Sequence, residues 1–96
     1  MKLYAIRRSS AWANGQELEA AATKSARIGN DEMADQVRWI RSYVVEESDG
    51  RLGTICVYQA NEPESLRDHA HRVGMPGDDI LPIVSTVVVR PDPAND

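Results

Sequence analysis

The chain is predicted to fold as an α+β sandwich, a four-stranded antiparallel sheet carrying two helices on one face. Three features predict this. Residues 36–47 and 52–60 read as two strands joined by the turn triplet Ser48-Asp49-Gly50. A helical pattern flanks that hairpin on either side, at 16–27 and 61–74. A short strand pattern closes each end, at 2–8 and 81–90, which makes the order β-α-β-β-α-β.

The first strand pattern mixes apolar residues with a basic end, Arg7-Arg8, and residues 9–14 read as a loop, small and polar apart from Trp12. Gln16 to Arg27 is rich in Ala, Glu, Leu and Lys, all strong helix formers. Leu18, Ala21, Ala22, Ser25 and Ile28 recur at three- and four-residue spacing and give a small-residue apolar stripe. Gly29-Asn30 is the expected stop, because both residues tolerate the left-handed conformation that ends helices. On the next strand, Val37, Trp39, Arg41, Tyr43 and Val45 are expected to project one way and Arg38, Ile40, Ser42, Val44 and Glu46 the other. Gly50 suits the positive φ of a tight turn. On the return strand Thr54, Cys56 and Tyr58 share a face.

Asn61 is the expected cap of the second helix, with Pro63 in its first turn and Glu64 three residues after the cap. Leu66, Ala70 and Val73 form its inward stripe, and Gly74 closes it. Pro82 marks 81–90 as an edge strand. One domain is expected over 1–91, with 92–96 as a disordered tail.

This element order is the split β-α-β arrangement of ferredoxin-like domains, whose right-handed crossovers put both helices on one sheet face. Most of its strands nevertheless carry apolar residues on both sides: Leu3 and Ala5 against Tyr4 and Ile6, Ile55 and Val57 against Cys56 and Tyr58. A half-solvated sheet alternates more cleanly. The second face is therefore expected to be covered by a second copy, giving a homodimer of the dimeric α/β-barrel kind.

Composition narrows the partners. The chain has 96 residues, 42% of them apolar, 27% charged, and a net charge of −4. An acidic balance speaks against broad contact with nucleic acid, which needs clustered Lys and Arg. No apolar run reaches the roughly 18 residues of a membrane span, so no membrane partner is expected. A single cysteine, Cys56, forms no internal disulfide, and the N-terminus lacks a signal-peptide pattern; a cytoplasmic home is expected.

Few residues carry chemistry. His69 and His71 are two apart on the second helix and do not share a face. His69 lies near the edge of the apolar stripe, whereas His71 points to solvent. The thiolate of Cys56 is a soft ligand for nickel, zinc or copper, so Cys56 with His69 is the candidate metal pair. Against that stand the ordinary readings, a buried small hydrophobe and a histidine bonded to backbone. Arg41, between Trp39 and Tyr43 on a largely apolar face, is the candidate anion-binding residue, with those two aromatics beside it; a surface or interface ion pair is its plainer role. Phosphate loops, nucleophile elbows and HExxH helices are missing from the sequence.

Three stretches together, Trp39-Ile40-Arg41-Ser42-Tyr43-Val44, Ile55-Cys56-Val57-Tyr58-Gln59-Ala60 and Leu66-Arg67-Asp68-His69-Ala70-His71-Arg72-Val73-Gly74-Met75-Pro76, resemble a bacterial family of small uncharacterised ferredoxin-like domains. That family includes a nickel-binding, nickel-responsive dimeric protein. The resemblance spans roughly residues 36 to 91, with a looser fit at the N-terminus. It implies a ferredoxin-like dimer with nickel held by side chains of the fold. Cys56 and His69 stand where the family has a cysteine and a histidine. Arg41 replaces a frequent histidine, Gln59 a frequent glutamate, and Arg7-Arg8 replace acidic residues. A cation site that loses imidazole and gains arginine binds metal less well.

The leading expectation is thus a non-catalytic, cytoplasmic homodimer that binds nickel or zinc through Cys56 and His69. The alternative is a small dimeric α/β-barrel enzyme or binding protein for a carboxylate-bearing molecule. In that reading Arg41 holds the carboxylate and His69 moves a proton.

Overall fold

The computed structural model describes residues 1–94. Its elements are β1 (Lys2–Trp12), α1 (Gly15–Arg27), β2 (Val37–Glu46), β3 (Leu52–Ala60), α2 (Pro63–Val73) and β4 (Ile80–Pro82). The strands form one sheet in the order β2-β3-β1-β4, and every neighbouring pair is antiparallel. This is the ferredoxin-like sandwich expected. Tyr4 and Ile6 of β1, Val37 of β2 and Cys56, Tyr58 and Ala60 of β3 pack on Ile28, Met33, Leu66 and Val73 to make the core.

Local chemistry explains most element ends. Asn14 caps α1 by accepting the Glu17 amide, while Glu17 Oε1 accepts the Ala13 amide, a reciprocal box. The hairpin closes with Gly50 at φ 83°. Gly74, at φ 87°, ends α2, with its amide on the Ala70 carbonyl at 2.8 Å.

Five expectations need correction. The loop predicted at 9–14 is largely strand: β1 bulges after Arg8, where Ser10 takes φ 48°, and rejoins β3 at Trp12 opposite Leu52. Gly29-Asn30 does not stop the first helix, which runs on as a π-helical turn, Ile28–Glu32. Ile28 and Met33 are both buried, and the Met33 amide reaches the Ile28 carbonyl at 3.1 Å, so burial of the pair draws the chain onward. Asn61 is not the cap of α2; its side chain donates to the Asp35 carbonyl, and Glu62 takes the cap position without a side-chain bond.

The fourth correction bears on the site. In β2, Trp39 pairs with Tyr58 and Arg41 with Val57, so Ile40 is an extra, bulged residue. A one-residue slip reverses every later side chain. Trp39, Ser42 and Val44 therefore share the helix side, whereas Arg41, Tyr43 and Val45 share the outer face.

Last, β4 is three residues long, not ten. Because Tyr4 pairs with Pro82, a strand continuing past Ile83 would soon outrun the start of β1 at Lys2. The Ile83 amide on the Leu3 carbonyl is the last bond of that ladder. Beyond it Val84, Val87, Val88 and Val89 are 95%, 86%, 72% and 81% exposed. Within the expected tail, Asp92 meets Arg41 Nη1 at 2.9 Å and the Tyr43 hydroxyl at 2.7 Å; residues 95 and 96 lie outside the described residues.

Candidate functional site

Alternation along β1 puts Tyr4, Ile6 and Arg8 on the helix side of the sheet, so the third of them carries a guanidinium into the interior. Arg8 is 1% exposed. Its Nε donates to the Pro76 carbonyl at 2.6 Å and its Nη1 to Cys56 Sγ at 3.2 Å. The guanidinium carbon lies 5.9 Å from the centre of the Tyr58 ring. Nη2 is buried and has no protein partner.

Cys56 is the hub of a short polar chain. Trp39 Nε1 donates to Ser42 Oγ at 2.7 Å, Ser42 donates to Cys56 Sγ at 3.0 Å, and the thiol donates to Thr54 Oγ1 at 3.2 Å. The bulge in β2 makes this possible, since it turns Ser42 inward. Above these groups lies a cavity of about 580 Å³ between the sheet and α1. Leu18, Ala21 and Ala22 of α1 face it from one side and Trp12, Trp39, Val44 and Met75 from others. The predicted apolar stripe of α1 is thus only half-buried at its N-terminal end, where it looks into this space instead of packing on the sheet.

The other expected site residues are distributed differently. His69 is buried, but its Nε2 donates to the Ser25 carbonyl at 3.1 Å and its Nδ1 has no partner. It lines a separate, smaller space of about 100 Å³ with Ser25, Gly29, Val37 and Tyr58. The Tyr58 ring packs on His69 at 5.6 Å between centroids and stacks on Trp39 at 6.1 Å. Arg41 sits at the cavity rim with its guanidinium turned to Tyr43 and Asp92, so Arg41 and Tyr43 stay together while Trp39 belongs to the interior side. His71 is exposed, as expected.

As a cation site this arrangement is poor. A positive guanidinium lies 3.2 Å from the thiol, and the imidazole donates its Nε2 proton to backbone while Nδ1 faces the smaller space without a partner. Among the described residues no group of three or more His, Cys, Asp or Glu is placed to hold a metal ion. Cys56 lines the larger space and His69 the smaller, so the two side chains do not face one common cavity. Arg8 is not among the site residues expected from the sequence. Its signal was present in the alternation Tyr4, Ile6, Arg8, which places a charge on the buried face.

Burial holds the His69 imidazole below its ordinary range, with the Arg8 and Arg72 charges acting the same way and the Ser25 carbonyl and Asp68 opposing. A histidine kept neutral in the fold takes up its proton more readily once unfolded, so stability is full above about pH 6.5 and falls as pH drops below it. The loss is expected to approach about 1.4 kcal/mol per pH unit for one proton until the folded form titrates. Urea unfolding of the protein and of His69→Gln at pH 7.5, 6.5 and 5.5 measures it. The variant should lose that component of the slope.

No helix among the described residues is long and apolar enough to cross a membrane. No curated protein matches the chain. Among solved structures, the fold resembles the crystal structure of SCO4226 from Streptomyces coelicolor A3(2), with a TM-score of 0.70 at 16% identity, covering 88% of this chain and 99% of that one. At that identity the likeness speaks for the fold. The family model described as "Nickel responsive protein SCO4226-like" matches residues 4–83. Spanning all but the two ends of the sequence, that match shows that the chain belongs to the SCO4226-like family of nickel responsive proteins.

Proposed function

We propose that this chain is a homodimeric, non-catalytic binding protein whose cavity between the sheet and α1 receives a small, largely apolar molecule. The observation that carries this reading is the cavity itself. Its volume of about 580 Å³ falls within the range of small-molecule sites, and it is mainly apolar with a few convergent polar groups at one end. Binding is favoured over catalysis because Cys56, the nucleophile it contains, has Arg8, Ser42 and Thr54 as neighbours and no base among them. The homodimer is supported by the outer sheet face, where Tyr43, Ile55 and Leu81 are 43%, 41% and 62% exposed.

Nickel enters through the family's name. The Arg8 guanidinium against Cys56 argues that this member does not hold it with the Cys56 and His69 pair. Two titrations test the reading. A neutral solvatochromic dye such as Nile red should bind with a blue-shifted emission, and Ala22→Trp, which fills the cavity, should abolish the shift while circular dichroism shows the fold retained. Nickel titrated into tag-free protein by calorimetry should give no heat that depends on Cys56 or His69. An unshifted dye, or nickel heat lost in both Cys56→Ala and His69→Ala, would overturn the proposal.

A further inference from the structure

We infer that the molecule received by this cavity bears a carboxylate, seated on the guanidinium of Arg8. The inference rests on the cavity being a small-molecule site and adds the chemistry of what fills it. A guanidinium keeps its proton in proteins, so Arg8 carries a positive charge at 1% exposure. Buried charges are normally paired, because an isolated one is costly. The other arginines of the described chain that are paired all meet carboxylates near the surface: Arg7 with Glu47, Arg27 with Glu32, Arg41 with Asp92, Arg67 with Glu64, and Arg72 with Glu32 and Asp68. Arg8 has no such partner among the described residues. It has a carbonyl on Nε, a thiol on Nη1 and nothing on Nη2.

Arg8 forms part of the cavity wall, so an anion entering the cavity is the partner its charge can reach. The surroundings define that anion. One positive charge lies at the polar end, with the Ser42 and Thr54 hydroxyls and the Cys56 thiol beside it. That set suits a planar monoanion with two oxygens. It is too sparse for a phosphate dianion, which needs more donors and more charge. Most of the remaining wall is apolar, with Leu18, Ala21, Ala22, Trp12 and Trp39, and its other charged residues, Glu19 and Arg41, are exposed, so the body behind the carboxylate is a hydrocarbon chain or an aromatic ring. A fixed guanidinium in an apolar site also discriminates sharply. The same ligand as an amide or alcohol leaves the charge unpaired.

The experiment compares matched pairs in the unaltered protein: octanoic acid with octanamide, and 3-phenylpropanoic acid with its amide, at pH 7.5. Calorimetry and the fluorescence of Trp12 and Trp39 read affinity. Each acid is expected to bind at least tenfold tighter than its amide, in keeping with a hydrogen bond to a charged group. In Arg8→Met the preference should vanish, and in Arg8→Lys it should shrink without reversing. Circular dichroism confirms that each variant folds. If neither does, the acid-to-amide ratio in the unaltered protein decides alone. Nile red bound with acids and amides of equal affinity, or with no affinity for either, would overturn the carboxylate and leave the cavity reading standing. Loss of dye, acid and amide binding together would overturn both.

Discussion

Replacing Tyr58 by alanine is expected to cost about 3–5 kcal/mol of folding stability, the range for deleting a large buried aromatic. Tyr58 is 1% exposed at the middle of β3. Its ring meets Trp39 on one side and His69 on another, and the Arg8 guanidinium lies 5.9 Å from its centroid. Its hydroxyl shares a hydrogen bond with Ser25 Oγ at 3.2 Å, tying β3 to α1. Small domains hold only about 5–15 kcal/mol in total, so the variant should be close to unfolded at 37 °C. Tyr58→Phe separates the contributions, since losing the hydroxyl alone should cost about 1 kcal/mol. Urea denaturation followed by circular dichroism gives both values. A loss under 2 kcal/mol for the alanine variant would mean that the ring is not the wall between the two interior spaces. The site is affected too: with Tyr58 gone, the cavity beside Arg8 opens toward His69, and Nile red emission should shift back toward that in water.

How much of this was legible beforehand differs from feature to feature. The hairpin was readable because its signal is local: two β-rich runs and a turn triplet whose glycine does take a positive φ. Helix α2 was readable for the same reason, apart from its first residue. The bulge at Ile40 was not, because alternation assumes an unbroken register and the extra residue is decided by partner strands. That single slip separated Trp39 from Arg41 and turned Ser42 inward to Cys56. The length of β4 depended on where β1 begins, a fact about a different part of the chain. Cys56 was correctly placed with Thr54 and Tyr58, yet its chemistry is set by Arg8, 48 residues away in sequence. Nothing in the spacing of either residue announces that contact. A charged residue continuing a buried alternation is the one clue the sequence holds.

Placing an aspartate at Ile55 is expected to turn the proposed dimer into a monomer. Ile55 stands at the centre of the outer face, opposite Tyr43 of β2 and Arg7 of β1, and is 41% exposed in the single chain. Around it, Leu3, Ala5, Val45 and Val57 are only half-buried, so the patch is continuous across three strands. In a two-fold interface each substitution appears twice. Two carboxylates, each desolvated beside an Arg7 already held by Glu47, cost several kcal/mol apiece, enough to raise the dissociation constant at least a thousandfold. In the monomer the same aspartate faces water, so its effect on folding should be small by comparison. Sedimentation velocity at tens of micromolar distinguishes the states. Thr23→Asp on the exposed side of α1 is the control and should leave the dimer intact. A protein that sediments as a monomer before any substitution would remove the pairing. So would a dimer that survives Ile55→Asp, since the apolar surface of β1, β2 and β3 would then be covered by nothing. The cavity lies on the opposite side of the sheet, and dye binding in Ile55→Asp should persist, which separates assembly from ligand capture.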